Sequence, residues 1–268
     1  MHEAVGRTQT FTDAMDPDRV AALHATLGLE GPAPGHYDPL PPFFHQVFFW
    51  DFRPPDELGR DGHPRIGGFI PDLGLPRRMW AGGRLAFYGP LRFGLTAQKT
   101  TTIESVEQKQ GRTGPLAFIT LRHDIVQGGV LRVSEHQDLV YREDPSPSTP
   151  HPIPPRAPDG AEQEIEFHFD TTLLFRYSAL TFNGHRIHYD RDYARDVEGY
   201  PGLVVHGPLL AQLLMLVAAS RGPLRQFSFR AHAPLIDTEP AVLCRAGDSL
   251  WVRGPENRLC MSAEVVHA

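Results

Sequence analysis

The segment FNGHRIHYD puts an amide and two imidazoles, Asn183, His185 and His188, close together. Histidine is the side chain whose ordinary pKa lies nearest neutral pH, so this pattern suits proton transfer to and from water or carbon. One imidazole can take a proton and return it on the same face of a substrate. The amide has no proton affinity suited to base work, and it fits the lesser task of orienting water or holding a carbonyl. A little downstream, VHGPLLAQLL supplies the complementary part. Pro208 suits the first turn of a helix, and Gly207 lets a ligand come close. Backbone amides at such a helix start stabilise negative charge developing on an oxygen, which makes the Gly207 N–H the candidate oxyanion donor and His206 the next in line. His185, His188 and His206 also invite a zinc reading, because zinc accepts three histidines plus water. The H-x-x-H spacing is not diagnostic and no carboxylate or cysteine completes a known ligand pattern, so no metal and no other cofactor is expected. His185 and His206 can equally bond backbone carbonyls and shape the loop.

These residues have to be positioned by a strand-rich scaffold. The chain carries 25 glycines and 26 prolines, which implies many turns and few long helices. In the first half, DPDRVAALHATLGL has an N-cap aspartate and helical spacing. TAQKTTTIESVEQK, LAFITLRHDIV and VLRVSEHQDLVYR read as a strand meander, with Gly128-Gly129 as a hairpin turn. In the second half EIEFHFDTTLLFRYSAL, LRQFSFRAHAPL, AVLCRAGDSLWVRG and RLCMSAEVV read as strands, and HGPLLAQLLMLVAAS as a buried helix. A weak repeat links the halves: PFFHQVFFW from Pro42 matches PLLAQLLML from Pro208, with glutamine four residues after each proline. A buried helix followed by an antiparallel meander fits an α+β unit, a sheet wrapped around a central helix. Two such units divide as residues 1–142, a Pro-rich linker at 143–160, and residues 161–268.

Composition excludes several classes of function. With 41% hydrophobic residues, the 268-residue chain can bury a proper core. A formal charge of -6 argues against nucleic acid as a partner. No apolar run approaches the roughly 20 residues needed to cross a bilayer, and the opening segment has neither a basic nor an apolar leader region, so no membrane partner and a cytoplasmic location are expected. Cys244 and Cys260 read as core residues. Ser178 and Ser220 lack a nucleophile-elbow context, and GGR at 82–84 and GRTG at 111–114 are too short for a nucleotide site.

FNGHRIHYD followed by YPGLVVHGPLLAQLL resembles the MaoC-like hydratases and dehydratases. GRDGHPRIGGF, LPRRMWAGGRL and KQGRTGPLAFITLRH extend the resemblance to the branch with two hotdog units in one chain, which includes mesaconyl-C4-CoA hydratases and mitochondrial-type 3-hydroxyacyl-thioester dehydratases. The resemblance implies a double hotdog fold, two antiparallel sheets each wrapped around a central helix. It also implies an acyl-CoA thioester substrate and water addition to mesaconyl-C4-CoA giving citramalyl-CoA. A fatty-acid-type dehydratase, an itaconyl-CoA hydratase or a non-catalytic acyl-thioester binding protein are the alternatives.

In the family motif Asp-x-Asn-Pro-x-His, His188 falls on the catalytic histidine and Asn183 on the acid position. His185 replaces the asparagine and Arg186 the proline. Arg186 is then placed to meet an acyl carboxylate, a CoA phosphate or solvent, and Tyr189 to wall the pocket. Arg77, Arg78, Lys109 and Arg112 are candidates for the CoA phosphates. The first half, without an equivalent motif, is expected to shape the acyl-CoA groove, which leaves one active site per chain. A homodimer is compatible with the sequence.

Overall fold

Alternation of inward apolar and outward polar residues builds most of this molecule. The computed structural model describes residues 2–111, 114–145 and 153–268. Its first-half strands are β1 (Thr8–Asp13), β2 (Arg77–Phe87), β3 (Ala97–Gly111), β4 (Gly114–Gln127) and β5 (Val130–Arg142). The second half adds β6 (Gln163–Phe167), β7 (Leu224–Ala231), β8 (Ala241–Ala246), β9 (Ser249–Gly254) and β10 (Arg258–His267). Its helices are α1 (Pro17–Thr26), α2 (Thr171–Leu180), α3 (Arg191–Asp196) and α4 (Gly207–Ala219).

The two expected sheets are halves of one antiparallel sheet, ordered β1-β3-β4-β5-β2-β7-β10-β9-β8-β6. They join where β2 pairs with β7, Gly83 lying opposite Phe229. A Cβ on Gly83 would stand 2.8 Å from the Phe229 ring, so the seam closes only because glycine is there. The main core runs across it, drawing Phe43, Phe44 and Val133 from the first half and Leu209, Leu213 and Val252 from the second.

α1 and α4 form as the sequence predicts, with Asp16 capping the first and the second buried nearly all round. α4 packs against β2, β7, β9 and β10. Two expectations change. EIEFHFDTTLLFRYSAL is not one strand: β6 stops at Phe167, the Asp170 carboxylate caps the Leu173 N–H at 2.7 Å, and α2 follows. The buried residues Leu174, Tyr177 and Ser178 sit at helical spacing, which the Phe, Tyr and Thr content had masked. The first-half counterpart of α4 is a single 3-10 turn at Phe44–Val47, flanked by the left-handed residues Phe43 (φ 70°) and Phe49 (φ 61°). Among the described residues, no helix is long and apolar enough to cross a membrane. Residues 146–152 of the expected linker lie outside the described residues.

Candidate active site

α2 ends at Leu180, Phe182 takes a left-handed turn, and the chain runs through Asn183 into a 3-10 turn at Arg186–His188 before Asp190 caps α3. This path holds His188 in the interior at 6% exposure. Its Nδ1 donates to the Val204 carbonyl at 2.7 Å. Because a carbonyl only accepts, the proton is on Nδ1 and Nε2 is the basic nitrogen of the neutral ring. Burial holds His188 down at about 4, against the partial offset of that hydrogen bond, so the ring is neutral near pH 7.

His206 caps the start of α4 and stacks on His188, ring centroids 3.7 Å apart and planes 20° from parallel. Its Nε2 and the Ser178 hydroxyl share a 2.8 Å hydrogen bond, and its Nδ1 is buried without a partner among the described residues. Burial, then the His188 charge, pushes His206 well below its usual range. His185 lies edge-on to His188 at 5.3 Å and is depressed by burial and the surrounding positive groups. Asn183 uses its side-chain oxygen to accept the His185 N–H at 3.1 Å, which leaves its NH₂ for a ligand. Gly207 opens α4, where the first amides have no acceptor within the helix. A Cβ there would meet only the Trp80 carbonyl, at 3.7 Å.

Beside these residues lies a cavity of about 770 Å³, lined from the second half by Tyr177, Asn183 and Pro208 and from the first by Asp61, His63 and Arg78. His185, His188 and His206 stand one layer behind its wall: the His63 ring packs on His185 at 4.7 Å. The imidazole cluster is thus separated from the cavity by the layer of residues that includes His63.

Asp61 and His63 form a hydrogen-bonded pair on the cavity wall that the sequence did not point to. Asp61 and His63 Nδ1 are 3.2 Å apart. Burial alone would raise the Asp61 carboxyl, but the hydrogen bond and charge of His63 outweigh it and hold it below the usual range. Burial, then the Arg78 charge, lowers His63. Their loop is pressed against the FNGHRIH segment. A Cβ on Gly62 (φ 89°) would lie 2.0 Å from the Gly184 carbonyl oxygen, and the Arg186 N–H donates to the Asp61 carbonyl at 2.9 Å. The signal available in the sequence was an Asp-x-His pair set between glycines in GRDGHPRIGG. Asp61, His63 and His185 also bring donor atoms within 4.8 Å of one another, the set that would hold a metal ion if the protein used one. His188 and His206 are not part of it.

The basic candidates separate. Arg186 is held by Asp190 at 2.7 Å and lies over the Tyr193 ring, and it does not line the cavity. Arg77 is buried and spent on Glu198 at 2.5 Å. Lys109 is exposed, pairs with Glu107 at 2.7 Å and does not line the cavity, while Arg112 lies outside the described residues. Tyr189 is 45% exposed, donates to the Gly184 carbonyl and stays off the cavity wall. Arg78 alone of the CoA candidates among the described residues faces the cavity.

A continuous antiparallel sheet, with a buried helix whose N-terminus abuts a cluster of neutral imidazoles, is the architecture of a double hotdog hydratase or dehydratase. Comparison with solved structures bears out the fold. HtdX from Mycobacterium tuberculosis superposes with a TM-score of 0.70 at 19% identity, covering 98% of this chain and 100% of that one. A second M. tuberculosis protein, described as having a double hotdog fold, gives 0.58 at 13% identity over 97% of this chain and 95% of that one. Residues 43–237 match the family of hydroxyacyl-thioester dehydratases type 2, and the chain belongs to that family. It is also 46% identical to the mesaconyl-C(4)-CoA hydratase of Chloroflexus aurantiacus, over 97% of this chain and 95% of the relative.

Proposed function

We propose that the chain adds water reversibly to a 2-enoyl-CoA, with mesaconyl-C4-CoA as substrate and citramalyl-CoA as product, at one site per chain. The observation that carries the reading is the His188 tautomer: Nδ1 is committed to Val204, and Nε2 is left as an unprotonated base beside the cavity wall. Nε2 takes a proton from water as the water oxygen bonds to the β-carbon. The electron pair of the double bond moves through the α-carbon toward the thioester oxygen, where the Gly207 amide at the start of α4 meets the developing charge. The proton on Nε2 then passes to the α-carbon, which restores the thioester and the neutral imidazole. Dehydration is the same path reversed.

The Asn183 NH₂ holds water or the thioester oxygen. His206 keeps the His188 ring in place by stacking, and His63, backed by Asp61, is a polar group on the cavity wall within reach of a bound thioester. The acid limb of the rate falls below the ordinary histidine range. Burial lowers His188 to about 4, so in kcat/KM the base form is lost only as pH falls through that value. A cytoplasmic location, where CoA esters are at hand, is part of this proposal.

The test is kcat/KM across mesaconyl-C4-CoA, itaconyl-CoA, crotonyl-CoA and longer enoyl-CoA esters. Preference for the first supports the reading. Preference for long chains replaces it with a fatty-acid-type dehydratase, and binding without turnover makes the protein a thioester carrier.

A further inference from the structure

The substrate proposed above carries its free carboxylate on the same carbon that water attacks. A receptor for that carboxylate must therefore stand beside the proton-transfer cluster, and burying the charge requires a cation or several donors. Most nearby cations are already committed: Arg186 to Asp190, Arg77 to Glu198 and Arg60 to Asp144. Two that line the cavity, Arg78 and Lys99, make no ion pair or side-chain hydrogen bond among the described residues.

These two cations sit in different surroundings. Lys99 shares the inward face of β3 with Thr101 and lies near the buried Glu135, a carboxylate held ionised by His45 at 2.8 Å; its ammonium sits 5.4 Å from the Phe49 ring centre. That end of the cavity already contains a negative charge. Arg78 stands at the other end, where its charge bears on His63 and His185. Directly across the β2–β5 ladder is Tyr141, 3% exposed and lining the same cavity, whose buried hydroxyl has no partner among the described residues. Asp61 does not consume Arg78, since its carboxylate bonds His63 and lies beyond ion-pair distance of the guanidinium. An unpaired guanidinium beside an unpaired phenol offers a planar fork and a further donor, the set that matches a carboxylate. A CoA phosphate does not fit here, because the pantetheine arm separates the phosphates from the thioester.

We infer that Arg78, assisted by the Tyr141 hydroxyl, is the acyl-carboxylate receptor of the cavity and sets the preference for a dicarboxylic over a plain enoyl-CoA. The assignment rests on the proposed hydration of mesaconyl-C4-CoA. It makes the first half of the chain the source of acyl specificity, while the second half supplies the base.

The experiment measures kcat/KM on mesaconyl-C4-CoA and crotonyl-CoA, and takes their ratio, for the wild type, Arg78→Met, Arg78→Lys, Tyr141→Phe and Lys99→Met. Thermal melts establish that each variant is folded. Arg78→Met is expected to lower the ratio by about ten- to a hundredfold, the scale of one charged hydrogen-bond partner. Arg78→Lys should restore part of the ratio, and Tyr141→Phe should lower it severalfold. If Arg78→Met does not fold, the lysine and phenylalanine variants carry the test. An unchanged ratio in folded Arg78 variants, with a wild type that prefers the dicarboxylate, overturns the receptor assignment alone. A ratio that moves in Lys99→Met instead overturns it in favour of the other end of the cavity. A wild type that prefers crotonyl-CoA removes the substrate reading and this inference together.

Discussion

PFFHQVFFW and PLLAQLLML begin alike, with proline first and glutamine four residues later, yet only the second becomes a helix. Leucine, alanine and methionine lose little rotamer freedom in a helix, whereas the aromatic and β-branched residues that fill the first segment lose χ1 freedom against the preceding turn. The first segment therefore makes one 3-10 turn and lets its phenylalanines reach the core. The two segments still meet, since Gln212 in α4 donates to the Pro42 carbonyl at 2.9 Å. The shortened helix leaves room over the inward faces of β3, β4 and β5, where Thr101, His123 and Glu135 line the cavity instead of a helix packing there. One half of the repeated pair thus holds a pocket where the other holds a helix, and the proposed mechanism uses the amide terminus of that helix.

The contrast can be broken from either side. His188→Ala removes the base of the second half and should cost about a hundred- to ten-thousand-fold in turnover, or about 3 to 5 kcal/mol of barrier, in a protein that melts normally. Retention of more than a third of the wild-type rate would take His188 out of the mechanism. In the first half the large effect should be on folding. His45→Ala leaves the Glu135 carboxylate, 2% exposed, with Gln46 as its remaining partner, and should lower stability by about 3 kcal/mol in a denaturant melt. A loss within a few tenths would mean that the pair is not needed to hold the pocket.

Acid should destabilise the protein through the buried imidazoles of both halves. His188 titrates at about 4 when folded, against 6.5 as the ordinary value, so between those values the unfolded chain binds the extra proton. Its contribution is therefore complete above pH 6.5 and is lost as pH falls toward 4, roughly 3 kcal/mol at 1.36 per unit. His123, also lowered to about 4, acts in the same direction. Melting temperatures that stay flat from pH 7 to pH 4 would contradict the burial of these rings.

Smaller effects test the contact between the halves. His63→Ala should lower kcat/KM by about five- to tenfold, the scale of one hydrogen bond, and a loss equal to that of His188→Ala would make His63 the base instead. Dialysis against a chelator should leave the rate unchanged. A loss restored by added zinc would assign Asp61, His63 and His185 to a metal.

Much of this arrangement was legible in the residues. Helical spacing and an N-cap aspartate marked α1, and a proline with an all-round apolar run marked α4. Alternation marked the meander, and H-x-x-H after an asparagine marked the segment that brings His185 and His188 into the imidazole cluster. What was hidden depends on chain-distant contact. Asp61 and His63 reach His185 only because two glycines let their backbones touch. The capture of Arg186 by Asp190 is an i,i+4 pair and could have been read. So could the opposite fates of Arg77 and Arg78, which are consecutive on a strand and point to opposite faces.

In the proposed reaction this chain adds water to a conjugated enoyl thioester with no group other than its own side chains and amides. Its most direct test mixes chelator-treated protein with mesaconyl-C4-CoA and follows the ultraviolet absorbance of the conjugated bond while the product is weighed by mass spectrometry. The expected result is an absorbance loss whose rate scales with protein concentration, and a product heavier by one water. Unchanged absorbance with bound, unaltered thioester would contradict it.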